Sequence, residues 1–191
     1  MGQIFDDLAN RAAADPQAFW AQAAEDVVWD SPPETILDDR NPPFYQWFVG
    51  GKINGCYNAV DRHVDEGRGA QAAIIYDSPV TETKSVITFA ELQERVAKCA
   101  GMLEAHQVGY GDRVIIYKPM TPSAVIAMLA CARIGAIHSV VFGGFAAAEL
   151  AKRIDDAKPK VILTASCGIE PSRIVAYTPL LYDAIEMSSH M

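Results

Sequence analysis

The sequence predicts an α/β fold, with an irregular and helical lead-in followed by part of a parallel sheet. From Arg113 onward, apolar residues alternate between β-type and helical spacing: strand 113–117, helix 122–134, strand 137–142, helix 146–156, strand 160–165. Gly135, Gly143-Gly144 and Lys158-Pro159 punctuate those elements. Before residue 65 the composition differs, being acidic and proline-interrupted with no such alternation. Right-handed crossovers wind a β-α-β-α-β unit into a parallel sheet.

Composition bounds the function. The chain has 191 residues, is 50% hydrophobic, and is long enough for one substantial core with an appended segment. Its formal charge of −8 is concentrated at the start, where residues 1–40 carry nine acids against Arg11 and Arg40. No basic face is present to release phosphate counterions, so nucleic acid is excluded as a partner. Cys56, Cys99, Cys131 and Cys167 lie far apart without a Cys-x-x-Cys pair, which reads as reduced thiols of an intracellular protein, cytoplasmic or in the mitochondrial matrix. His63, His106, His138 and His190 are isolated, and no metal site is expected. The apolar run 124–132 is broken by Arg133, so no membrane partner is expected either. Met1-Gly2 opens like a myristoylation site, but Asp6 stands where Ser or Thr is required.

Residues 6–28 show an incomplete helical stripe interrupted at Asp15-Pro16, where a second helix starts. Ser31-Pro32-Pro33 and Asn41-Pro42-Pro43 make residues 30–43 an extended connector. The block Phe44, Tyr45, Trp47 and Phe48 reads as a loop pinned against a core. Residues 58–63 read as a surface helix, because Asp61-Arg62-His63 has no nucleophile at a Gly-x-Ser-x-Gly turn to serve. Gly51-Lys52 lacks the flanking glycine and Ser or Thr of a phosphate loop. Residues 72–76 and 86–88 form a hairpin, and Thr88 with Glu91 forms a capping box for a helix buried through Leu92, Val96, Cys99, Ala100 and Leu103. Thr121-Pro122 caps the next helix.

Gly143-Gly144 lies at the carboxyl end of a strand, the ligand edge of an open α/β sheet. The pair alone fits either a ligand-facing turn or a simple sharp turn, and local sequence favours the second.

The stretches WFVGGKIN at 47–54, NAVDRH at 58–63, GYGDRVIIYKPM at 109–120, AMLACARIGAIHSVVFGGF at 127–145 and RIDDAKPKVILT at 153–164 resemble the AMP-forming short-chain acyl-CoA synthetases. The stretch SCGIEPSRIVAYTPLL at 166–181 is similar to the propionyl-CoA branch more than to the acetyl-CoA branch. The resemblance implies residues 1–65 as an N-terminal arm, 66–187 as part of the parallel-sheet large domain of the adenylate-forming superfamily, and 188–191 as an atypical tail. It implies a ligase that joins a short-chain carboxylate to CoA through an acyl adenylate, using ATP and magnesium. The family's phosphate loop, acid pocket and C-terminal lysine have no counterpart in these 191 residues. The expectation is therefore an N-terminal portion of such an enzyme, with no catalytic residue of its own and CoA as the only cofactor it can hold.

The resemblance places part of a CoA site at Phe142, Gly143 and Gly144 and at Glu170, Pro171, Ser172 and Arg173. Arg173 suits a bidentate phosphate contact, whereas Glu170 would repel phosphate and suits adenine or ribose. Two other readings remain: a non-catalytic form binding CoA or a protein partner, and an independent dinucleotide module, against which the missing G-x-G-x-x-G counts. A partial sheet would also expose apolar surface and self-associate.

Overall fold

A computed structural model describes residues 2–190, so Met1 of the Met1-Gly2 opening and Met191 of the 188–191 tail lie outside the described residues. Contacts divide the chain into two compact units, Met1–Asn54 and Gly55–Met191.

In the first unit, α1 (Gly2–Ala14) and α2 (Pro16–Ala24) are separated at Asp15, whose carboxylate accepts the Ala18 N–H at 2.9 Å while Pro16 opens the helix. The expected connector and aromatic loop are instead a short antiparallel hairpin. Strand β1 (Thr35–Asp38) pairs with β2 (Gln46–Val49), with Leu37 opposite Trp47. Pro32-Pro33 precede β1 and Pro42-Pro43 lie between the strands, so no ladder donor is lost. Phe48 is half-buried and lies 5.6 Å from Trp29; Trp47 meets Trp20 edge-on at 6.0 Å but stays exposed, as do Phe44 and Tyr45. Of the aromatic block, only Phe48 is therefore shielded as expected.

The second unit begins with two π-helical turns, Tyr57–Asp61 and Val64–Arg68. The expected surface helix over 58–63 is corrected here, because Val60 is fully buried and Asp61 is drawn inward. Both Asp61 carboxylate oxygens accept from Arg133 Nη2 at 2.7 Å, and Oδ1 also accepts from Gln93 Nε2 at 2.8 Å. These bonds tie the 57–61 turn to two later helices. A wider turn carries the carboxylate to that position, and sequence spacing gives no sign of it.

Strands β3 (Ala72–Ser78) and β4 (Thr83–Thr88) form the expected hairpin but extend further toward its tip, where Asp77 and Lys84 pair opposite each other and form a 2.8 Å ion pair. Cross-strand charge pairing sustains the ladder beyond the apolar residues. The capping box is present: Thr88 Oγ1 accepts from Glu91 N, and Glu91 Oε2 accepts from Thr88 N at 2.8 Å. Helix α3 (Phe89–Ala105) buries Leu92, Val96, Ala100 and Leu103.

The β-α-β-α-β unit is as the sequence predicts. Its elements are β5 (Arg113–Tyr117), α4 (Pro122–Arg133), β6 (Ile137–Val141), α5 (Ala147–Ala157) and β7 (Val161–Thr164). The sheet order is β6-β5-β7 and both pairings are parallel, with Ile115 opposite Ser139 on one side and Ile162 on the other. Central β5 is buried from Val114 to Tyr117 because both of its faces are covered. Val114 and Ile116 face α3 and α4; Ile115 and Tyr117 face α5 and a final helix, α6 (Tyr177–Met187). Thr121 precedes α4 without a side-chain cap, since its hydroxyl lies 2.9 Å from Ser123 Oγ. At the other end of the sheet, Arg113 closes α5 by donating to Ala157 O at 2.8 Å and Lys158 O at 3.1 Å.

Edge strand β6 leaves Ile137 and Val140 exposed. The 167–176 stretch is a second hairpin, β8 (Cys167–Glu170) with β9 (Arg173–Ala176), where the sequence reading has only a loop. These short strands mix polar and apolar residues and lack the continuous apolar run that marks β7. Of the atypical tail, Ser188 and Ser189 are tied to α5, both hydroxyls donating to Asp155 Oδ1 at 2.8 and 3.1 Å.

Replacing Asp61 by Ala removes the carboxylate partner of the Arg133 guanidinium in a site where the two side chains are only 13% and 26% exposed. We expect a loss of about 2–3 kcal/mol in urea unfolding. A change within about 0.5 kcal/mol would show that water replaces the pair.

Candidate functional site

Three strands end at one edge of the sheet, and the segments that leave them enclose a cleft of about 410 Å³. Lys118, Pro119 and Met120 follow β5; Phe142, Gly143 and Gly144 follow β6; Gly168, Ile169 and Glu170 come from β8 after β7. The chain runs from β5 outward to β6 and then across to β7, with α4 and α5 on opposite faces. Such a reversal opens a crevice at the carboxyl ends of the strands, because the connecting helices diverge there.

Tyr177 forms the floor. Its ring stands 4.9 Å from that of Tyr117, whose hydroxyl donates to Phe145 O at 3.1 Å. Burial pushes both phenols above their ordinary range. The Tyr177 hydroxyl fills the space where a side chain at Gly143 would begin, and a methyl carbon at Gly168 would lie 2.5 Å from the same oxygen. At Gly144 the added carbon would meet the Phe142 ring at 2.7 Å. None of these glycines has a positive φ, so they are set by close approach of rings rather than by backbone conformation. The sharp-turn reading of Gly143-Gly144 is thus incomplete.

Of the residues placed at the site by resemblance, Phe142, Gly143, Gly144 and Glu170 line the cleft, while Pro171, Ser172 and Arg173 do not. The latter three complete the turn between β8 and β9, where Arg173 Nε donates to Glu170 Oε2 at 2.7 Å. The sequence reading missed Lys118, Met120, Ile169 and Tyr177. Lys118 and Met120 were legible, since they directly follow a strand in the same position that singled out Gly143. Tyr177 was not, because it arrives through an unforeseen hairpin. Among the described residues, no group of three His, Cys, Asp or Glu side chains converges as a metal site, and no helix is long and apolar enough to cross a membrane.

The sheet and its cleft define an open α/β domain with a crevice at the strand ends. The AMP-binding enzyme model matches residues 60–188 and the acetyl-coenzyme A synthetase N-terminus model matches residues 5–59. The chain belongs to the AMP-binding enzyme family. It is 55% identical over 179 residues to rat (Rattus norvegicus) acyl-CoA synthetase short-chain family member 3, mitochondrial, covering 94% of this chain and 26% of that protein. It is 45% identical over 186 residues to propionate–CoA ligase of Escherichia coli, covering 97% and 30% respectively. With acetyl-coenzyme A synthetase of Streptomyces avermitilis it shares 47% identity over 175 residues, covering 92% and 27%. The chain thus spans about a quarter of the length of the first of these relatives.

Gly143→Ala should overpack the floor and lower stability by about 1–3 kcal/mol in thermal unfolding. Tyr177→Phe in the same chain should restore part of that loss by removing the clashing oxygen. If Gly143→Ala is as stable as the parent, Tyr177 does not occupy this space.

Proposed function

We propose that this chain carries the CoA-recognition corner of an AMP-forming short-chain acyl-CoA ligase. The ligase reaction activates a carboxylate with ATP and magnesium and passes the acyl group to the CoA thiol. The observation that carries the reading is the cleft at the carboxyl ends of β5 and β6, with Phe142 and Ile169 half or more exposed at an apolar wall. An adenine ring has the flat apolar faces such a wall takes, as ligand sites pair apolar lining with a few polar groups. Gly143 and Gly144 let the backbone approach the base closely, and the Glu170 carboxylate is an acceptor for a ribose hydroxyl or the adenine amino group. Pro171, Ser172 and Arg173 flank the mouth as the hairpin turn that positions Glu170.

Propionate is placed ahead of acetate on the 166–181 stretch. Identities of 45% and 47% to the two bacterial ligases do not separate the acids. Propionate- against acetate-dependent pyrophosphate release, by a longer polypeptide that includes residues 1–191, decides between them.

Calorimetry should show CoA binding to the 191-residue protein with millimolar affinity, about 4 kcal/mol. The same preparation with ATP, magnesium and propionate should release no pyrophosphate above background. Absence of CoA binding at several millimolar would remove the reading, and turnover that survives repurification would place catalytic groups within residues 1–191.

A further inference from the structure

A cluster of charged side chains away from the cleft is satisfied by only one protonation state. His63 precedes the 64–68 turn with its side chain 15% exposed, and its ring meets that of Phe89 edge-on at 4.6 Å. Arg68 Nη2 contacts His63 Nδ1 and also donates to Glu66 Oε2 at 2.7 Å. A guanidinium can only donate, so Nδ1 must offer its lone pair and the imidazole must be neutral. The charged groups acting on the ring are the cations Arg68 and Arg62 and one carboxylate, Glu66, whose Oε2 lies 4.0 Å from Nδ1. Asp61 and Asp65 are engaged elsewhere, with Arg133 and with the Tyr57 hydroxyl, and Glu91 of α3 is held by Thr88. Burial, then the two cations, push His63 below its ordinary value of 6.5, while the Arg68 hydrogen bond lowers Glu66 and keeps it a carboxylate in the same range.

The chain just past this turn also serves α3. Gly69 O and Gln71 O accept from Ala90 N and Phe89 N, each at 3.0 Å, and so satisfy two backbone donors at the start of that helix. Gly67, at φ 81° with open space where a side chain would begin, gives the segment a hinge. We propose that His63, Arg68 and Glu66 form an acid-sensitive latch: protonation of His63 expels Arg68 from Nδ1, transfers the Glu66 carboxylate to the imidazolium, and releases residues 64–71 from the first turn of α3. The added proton resides on Nδ1, which then donates to Glu66, and Arg68 turns to solvent. No ligand takes part, so the inference is independent of the CoA reading. The neutral ring stabilises the segment above pH 6.5, and that contribution is lost as pH falls through the lower value of the folded chain.

NMR titration of the histidine rings in the 191-residue protein from about pH 8 to about pH 5, with amide hydrogen exchange followed alongside, tests this. His63 should titrate below 6.5. Protection factors at Phe89 and Ala90 should fall about fivefold or more across that midpoint, as loss of a hydrogen bond does. His63→Gln stays neutral throughout and should show no such step. Arg68→Gln removes the competing cation and should raise the His63 midpoint, whereas a ring held by packing alone would keep it; this variant decides the matter if His63→Gln does not fold. A His63 midpoint at or above 6.5, unchanged protection across it, the same step in His63→Gln, or an unmoved midpoint in Arg68→Gln would each overturn the latch.

Discussion

Burial of β5 on both faces is the constraint on which the second unit depends. Four consecutive side chains, Val114 to Tyr117, are fully buried, and they alternate between two separate cores. Each core belongs to a different pair of helices, so β5 is the element that makes α3 and α4 on one side and α5 and α6 on the other into one body. Burying a large aliphatic side chain is worth about 1.5–3 kcal/mol, and here three such side chains and the Tyr117 ring come from a single strand. Tyr117 extends this role to the cleft, because its ring supports Tyr177 and its hydroxyl holds the Phe145 carbonyl.

The same arrangement explains which parts of the fold were legible in the sequence. The β-α-β-α-β unit could be read because its strands are apolar runs alternating with helical spacing and bounded by glycine or proline. The capping box was read from two residues whose chemistry is local. The hairpins at 35–49 and 167–176 were missed because their short strands mix polar with apolar residues, unlike the equally short but apolar β7, and their partners are set by tertiary pairing. The inward placement of Asp61 was missed for a different reason. Its partners, Gln93 and Arg133, lie far along the chain, and only the fold brings a carboxylate to a guanidinium across that separation.

The cleft divides in the same way. Phe142, Gly143 and Gly144 were legible from a glycine pair at a strand end, although the physical reason for the glycines is the Tyr177 ring, which no local pattern announces. The resemblance grouped Glu170 to Arg173 as one loop, whereas the hairpin turns Glu170 into the cleft and pairs Arg173 with it. The resemblance, together with guanidinium chemistry, gave Arg173 the role of phosphate ligand. Lys118, which lines the cleft directly after β5, could have been identified from its place at a strand end.

The central claim is that the carboxyl ends of β5 and β6, with the adjoining β8 strand, form the ligand edge of this domain. Hydrogen exchange of backbone amides with and without saturating CoA tests it most directly. Added protection should be confined to residues 118–120, 141–144 and 168–177, with β5 the slowest-exchanging segment in both states. Protection appearing instead at the opposite edge, around residues 109–113 and 135–137, would contradict the account.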